Sequence, residues 1–153
     1  MGKSTIIPTA ANLEGAFSLS IIRGSTKIRV NRDIYLKLFG GWYMIPAGLE
    51  SDGASVPWLL TWLVKRFDSR ILLMSVWHDY GYISQFMPRI VVDTIYREGL
   101  ALTSNVWIAG TFYWALRFGG WVAWYNHKRK GIRKFPKAMA RFNTFLHNVT
   151  SNQ

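Results

Sequence analysis

The chain has 153 residues, enough for one domain, and no cysteine, which excludes disulfides and thiolate zinc sites. Half of its residues are hydrophobic, which argues against a chain disordered throughout. With 19 Lys and Arg against 8 Asp and Glu, the net charge is +11, which excludes an acidic surface and favours anionic partners.

Residues 1–14 read as an irregular arm, and 15–150 as a single α+β domain with a basic C-terminal helix. The arm has no long apolar core of the signal-peptide kind, and Gly2 with Ser4 falls short of an acylation signal. Strands follow over 16–22, 26–30 and 34–38, where residues alternate or are β-branched, with a short one over 42–45. Gly24-Ser25 and Gly40-Gly41 punctuate them. From Ser55 the period becomes helical. Ser55 suits an N-cap with Pro57 in the first turn of a helix over 56–66 that buries Trp58, Leu59, Trp62 and Leu63. Capping accounts for Ser55 without a nucleophilic role. Asp68 or Ser69 caps a second helix over 70–83, and Met87-Pro88 breaks it from a third over 88–102. A fourth covers 105–118, where Gly119-Gly120 ends or bends it, and Pro136 opens a last helix through Val149. The expected architecture is a small N-terminal antiparallel sheet followed by a bundle of four to five helices.

The run Val106 to Tyr125 is long enough to span a membrane and has a basic flank. Against a span, Arg117 in its middle costs about 2.5–3.5 kcal/mol on insertion scales. A buried or surface-attached helix is the better expectation. Beyond Glu98 there is no acidic residue, while Lys128, Arg129, Lys130, Arg133, Lys134 and Lys137 are basic. Such a face attracts phospholipid, nucleic acid or an acidic protein, or is a solvated surface with no partner.

The residues most able to carry chemistry are His78, Asp79, Tyr82 and Asp93. In a hairpin of helices turning near Gln85-Phe86, His78 and Asp93 both sit roughly 10 Å from the turn at 1.5 Å per residue. Axes about 8–10 Å apart let the two side chains meet. Tyr82, one turn on from His78, shares its face and can bond the same carboxylate. Asp93 then holds the imidazole in one tautomer and leaves the other nitrogen as a general base. Asp79, about 100° round the helix, points toward a neighbouring loop and can bind a hard cation such as calcium. Asp52, in the turn Ser51-Asp52-Gly53, can serve the same cation or simply form an Asx-turn. The competing reading of His78, Tyr82 and Asp93 is a buried network pinning two helices. A His-Asp metal phosphohydrolase needs a further upstream His and a distant downstream acid, and the sequence has neither. His127 and His147 lack the spacing of a zinc site.

The segment Met44-Ile45-Pro46-Ala47-Gly48-Leu49-Glu50-Ser51-Asp52-Gly53-Ala54-Ser55-Val56-Pro57 resembles the VP-x-G-F-x-T-D-x-A-S-x-P signature of a phage and prophage family of unknown function. That family continues with a His-Asp-x-x-Tyr helix, an Asp-bearing helix and an aromatic, Gly-rich segment. Here these are His78 to Tyr82, Arg89 to Glu98 with Asp93, and Tyr113 to Trp124. The resemblance covers 42–125 and implies a phage or prophage protein, in the host cytoplasm or the virion, without supplying an activity. The helix pair alone is similar to that of the phospholipase A2 superfamily. That likeness implies His78 as base, Asp93 as its partner, Tyr82 as support, and Asp79 as a calcium ligand. The disulfides and the Gly- and Cys-rich calcium loop of the secreted members are missing here.

Together these readings lead to an expectation. The protein is phage-associated and hydrolyses an ester at an anionic membrane or cell envelope, peripheral to the lipid. The alternative is a non-enzymatic virion or assembly component whose basic face binds an acidic phage protein or DNA.

Overall fold

A computed structural model describes residues 19–23, 27–38, 41–51, 69–103, 106–129 and 135–151. Within them the chain is α+β: short antiparallel strands come first and four helices follow. The strands are β1 (Leu19–Ile21), β2 (Ile28–Val30), β3 (Ile34–Leu38), β4 (Gly41–Ile45) and β5 (Glu50–Ser51). The helices are α1 (Ser69–Ser84), α2 (Arg89–Thr103), α3 (Val106–Arg129) and α4 (Pro136–Ser151). The arm over 1–14, the helix expected over 56–66 and its proposed cap lie outside the described residues.

Among the described residues the strands pair as a three-stranded antiparallel sheet and a two-stranded hairpin. β2 sits between β1 and β5, with Ser20 opposite Arg29 and Arg29 opposite Glu50. β3 and β4 pair as a hairpin from Ile34 opposite Ile45 to Leu38 opposite Gly41. Alternation sets their inner faces: Ile28 and Val30 are buried while Arg29 faces out and pairs with Glu50 at 2.6 Å. β5 is too short to show a period in the sequence. It exists because the chain reverses at Pro46–Leu49, where the Leu49 N–H donates to the Pro46 carbonyl (3.3 Å) and Gly48 takes φ +82°. That is the glycine position of a type II turn, and a side chain there would be strained.

α1 is the centre of the molecule. Ile71, Leu73, Met74, Val76, Trp77, Tyr80 and Tyr82 are all buried, so the helix is apolar nearly all round, as an interior helix must be. It packs on β4 through Tyr43 and Trp77, whose rings meet edge to face at 5.5 Å. It also packs on α2 and α3. α1 ends at Ser84, and Gln85, a non-glycine residue at φ 50°, follows it. α4 returns to the strands: Phe145 stacks on Tyr35 at 3.9 Å, and Arg141 pairs with Asp33, whose Oδ1 also accepts from the Ala47 N–H at 2.8 Å.

α3 departs from expectation by running 24 residues, straight through Gly119-Gly120, to Arg129. The reason is packing. A β-carbon on Gly120 would stand 2.6 Å from the Tyr82 hydroxyl, so the glycine admits α1 closely and does not break the helix. Among the described residues no helix is long and apolar enough to cross a membrane.

Candidate functional site

α1 and α2 form an antiparallel pair. Met74 meets Gly99, Ser75 bonds Tyr96 (3.1 Å), His78 reaches Asp93 and Gly81 abuts Val92, so one partner rises as the other falls. Close approach is built in, since a β-carbon on Gly81 would lie 2.6 Å from a Val92 methyl. This narrow crossing lets short side chains meet across it.

The meeting point is the Asp93 carboxylate, which is 0 % exposed. Oδ1 accepts from His78 Nε2 at 3.0 Å and from the Tyr82 hydroxyl at 2.8 Å. Oδ2 accepts from Arg117 Nη1 of α3 at 2.9 Å, and Arg89 Nε stands 3.4 Å from it. The Arg89 guanidinium also ties α2 to the α3 backbone: Nη2 donates to the Arg117 carbonyl at 2.8 Å. One link further along, Gln85 Nε2 donates to the Trp124 carbonyl, also at 2.8 Å. The His78 ring lies between Tyr82 and Tyr96, with centroids 4.3 and 4.7 Å away.

The electrostatics follow from these contacts. Burial alone would raise the Asp93 carboxyl pKa, but hydrogen bonds from His78, Tyr82 and Arg117 outweigh it and hold the group ionised. Burial pushes the His78 pKa below its usual 6.5; the Asp93 carboxylate pulls it back only in part, and Arg89 adds to the lowering. His78 is therefore neutral at pH 7. An ionised carboxylate can only accept, so Nε2 carries the imidazole proton and Nδ1 keeps its lone pair. Burial and the neighbouring carboxylate push the Tyr82 phenol pKa far up, so it stays a donor.

His78, Tyr82 and Asp93 thus converge as their spacing suggests. Asp79 points away from them, toward the strands, where its Oδ2 accepts from the Ser51 hydroxyl. This brings the end of β5, next to Asp52 in sequence, against α1. Asp52 itself lies outside the described residues. Among those residues there is no group of three or more His, Asp or Glu able to hold a metal. Of the basic cluster, Lys128 and Lys137 are exposed on α3 and α4. Arg129 ends α3. Lys130, Arg133 and Lys134 lie outside the described residues.

Sequence reasoning missed Arg89 and Arg117. Arg89 stands one helical turn before Asp93, the i,i+4 spacing of an ion pair. Arg117 was visible only as a cost: a cation inside an apolar run needs a buried partner, and the acid-poor second half leaves few candidates.

The fold and site define an α+β protein in which three helices close on one buried carboxylate. The chain belongs to a family of proteins of unknown function, DUF1353, whose family model matches residues 30–116. That span runs from β2 into α3 and includes His78, Asp79, Tyr82, Arg89 and Asp93. No curated protein and no solved structure matches the chain.

Proposed function

We propose that the protein is a phage-associated ester hydrolase that works at an anionic membrane surface, with His78 as general base. The observation that carries this reading is the 3.0 Å contact between His78 Nε2 and Asp93 Oδ1, which orients a neutral imidazole whose second nitrogen, Nδ1, keeps its lone pair. In the proposed step a water attacks the ester carbonyl while Nδ1 takes its proton. The tetrahedral intermediate then expels the alcohol, which leaves with the proton returned by the imidazolium. Asp93 orients the ring and stabilises its transient charge, Tyr82 holds Asp93, and Arg89 and Arg117 keep it ionised. No step runs through a metal, and calcium enters the test as a variable. The phage association rests on the resemblance of Met44 to Pro57 to the phage and prophage signature. The chemistry draws on the likeness of the helix pair to the phospholipase A2 superfamily.

The test is release of fatty acid from vesicles containing phosphatidylglycerol, with and without calcium. Release by the protein is expected, with a loss of about 10²-fold or more in His78→Ala, the usual contribution of a general base. No release under either condition, or release that survives His78→Ala, overturns it. One observation favours the second reading, a virion or assembly component docked on an acidic protein or DNA. His78 is only 6 % exposed, and two guanidiniums join its partner, as in a purely structural clamp. Under that reading His78→Ala lowers stability and there is no turnover to lose.

A further inference from the structure

α3 is apolar on two opposite sides. Its inner face carries Ala109, Phe112 and Gly120, all buried, and Leu116, packed on the core. Its outer face carries Trp107, Trp114, Phe118, Trp121 and Tyr125, all exposed; Trp107 is 81 % exposed and Phe118 76 %. At 100° per residue these five fall within an arc of about 60°, directly opposite the buried face. They form a stripe about 27 Å long at 1.5 Å per residue. Trp114 and Phe118 stack on one another at 5.8 Å, and Trp121 and Tyr125 meet edge to face at 6.4 Å, so the ridge holds two ring pairs. It contains no charge. The one cation within the apolar run, Arg117, is turned to the flank and spent on Asp93.

We infer that this ridge docks α3 lengthwise into the interface of an anionic bilayer, with the helix lying in the membrane plane. Charge decides between occupants. No acidic residue follows Glu98, so α3 and α4 carry only positive charge, with Lys128 and Lys137 exposed. Two copies packed ridge to ridge would bring two such surfaces together, whereas an anionic bilayer neutralises them. Trp and Tyr suit the depth of the headgroups, where one ring edge is wet and the rest is not. The helix cannot cross the membrane, and its inner face is committed to the core, so a flat pose is the one that buries the ridge. In that pose Arg117, on the same helix, holds the Asp93 cluster just behind the interface.

The inference rests on the membrane-surface part of the proposed function and is independent of the hydrolytic step. It is tested by flotation of the full chain with vesicles of phosphatidylcholine alone or mixed with phosphatidylglycerol. Binding to the mixed vesicles is expected, at least tenfold weaker on neutral ones and in high salt. The pairs Trp114→Ser with Phe118→Ser and Trp107→Ser with Trp121→Ser should each lower it at least tenfold, with unchanged circular dichroism. No flotation of the parent chain, equal binding to neutral vesicles, or folded variants that bind like the parent overturns the inference. So does a dimer in the absence of lipid that these substitutions convert to a monomer. Flotation needs no turnover, so a chain that floats but releases no fatty acid keeps this inference and loses the hydrolase reading. Hydrolysis of a soluble short-chain ester without flotation does the reverse.

Discussion

Replacing Gly120 by alanine sets two effects of opposite sign against each other. In a helix interior the change is favourable by about 0.5–1 kcal/mol, because alanine has less conformational freedom to lose. At Gly119 and Gly110, where an added β-carbon meets nothing within 4 Å, that gain should appear undiminished. At Gly120 the added atom would sit 2.6 Å from the Tyr82 oxygen. Either the ring or α3 must shift, and Tyr82 has little room, with Trp124 packed on it edge to face at 5.2 Å. The bond that gives way is the one from Tyr82 to Asp93. A hydrogen bond to a charged group contributes about 1.5–3 kcal/mol, which exceeds the helix term. Gly120→Ala is thus expected to destabilise by about 0.5–2 kcal/mol where Gly119→Ala stabilises. The background Tyr82→Phe supplies the control. Without the hydroxyl the nearest ring atom is 3.4 Å away, an ordinary contact, and Gly120→Ala should become neutral or stabilising. Urea denaturation of the four chains of this cycle measures the coupling. If Gly120→Ala stabilises the parent as much as Gly119→Ala does, Tyr82 is not locked between α3 and Asp93 and the reasoning fails.

Three further outcomes follow from the same contacts. Asp93→Asn removes the charge that faces Arg89, Arg117 and His78, and should cost about 3–5 kcal/mol in chemical denaturation, the range for breaking a buried ion pair; a loss under 1 kcal/mol would mean the guanidiniums find water instead. Gly81→Ala forces a β-carbon against Val92 in the α1–α2 crossing and should cost about 1–3 kcal/mol, recovered in part by Val92→Ala. Stability should fall on acidification in two stages. Folded His78 titrates below 6.5, so beneath that pH the unfolded chain binds a proton the folded one refuses, at up to about 1.4 kcal/mol per pH unit. Asp93 and Asp33, both held below 3.8, contribute stability that is present above that value and is lost as pH falls through their folded values. Melting temperatures against pH should show both limbs, with the upper one absent in His78→Gln.

The sequence carried the α1–α2 pair further than it carried α3. His78, Tyr82 and Asp93 were legible because helical spacing and one short turn leave few ways to arrange them. The alternating strands were legible for the same kind of reason, whereas β5 has too few residues to display a period. α3 was misjudged at its end. Gly119-Gly120 reads as a stop when only local preference is weighed, and the Tyr82 hydroxyl that requires Gly120 comes from a distant part of the chain. The two faces of α3 were invisible because both are apolar: amphipathic contrast exposes a face only when the other side is polar. Arg117 was hidden for a related reason, since its partner is fixed by the docking of α3 and not by any spacing along the chain.

The way Gln85 and Arg89 hold α3 has an evolutionary consequence. Both reach backbone carbonyls, those of Trp124 and Arg117, two turns apart on one side of the helix. A carbonyl is supplied by every residue type, so these two clasps index the rotation of α3 without reading its side chains. The outer ring residues can therefore be exchanged for others without loosening the register. Lineages carrying this fold are free to rewrite that face for a new surface while the interior stays as it is.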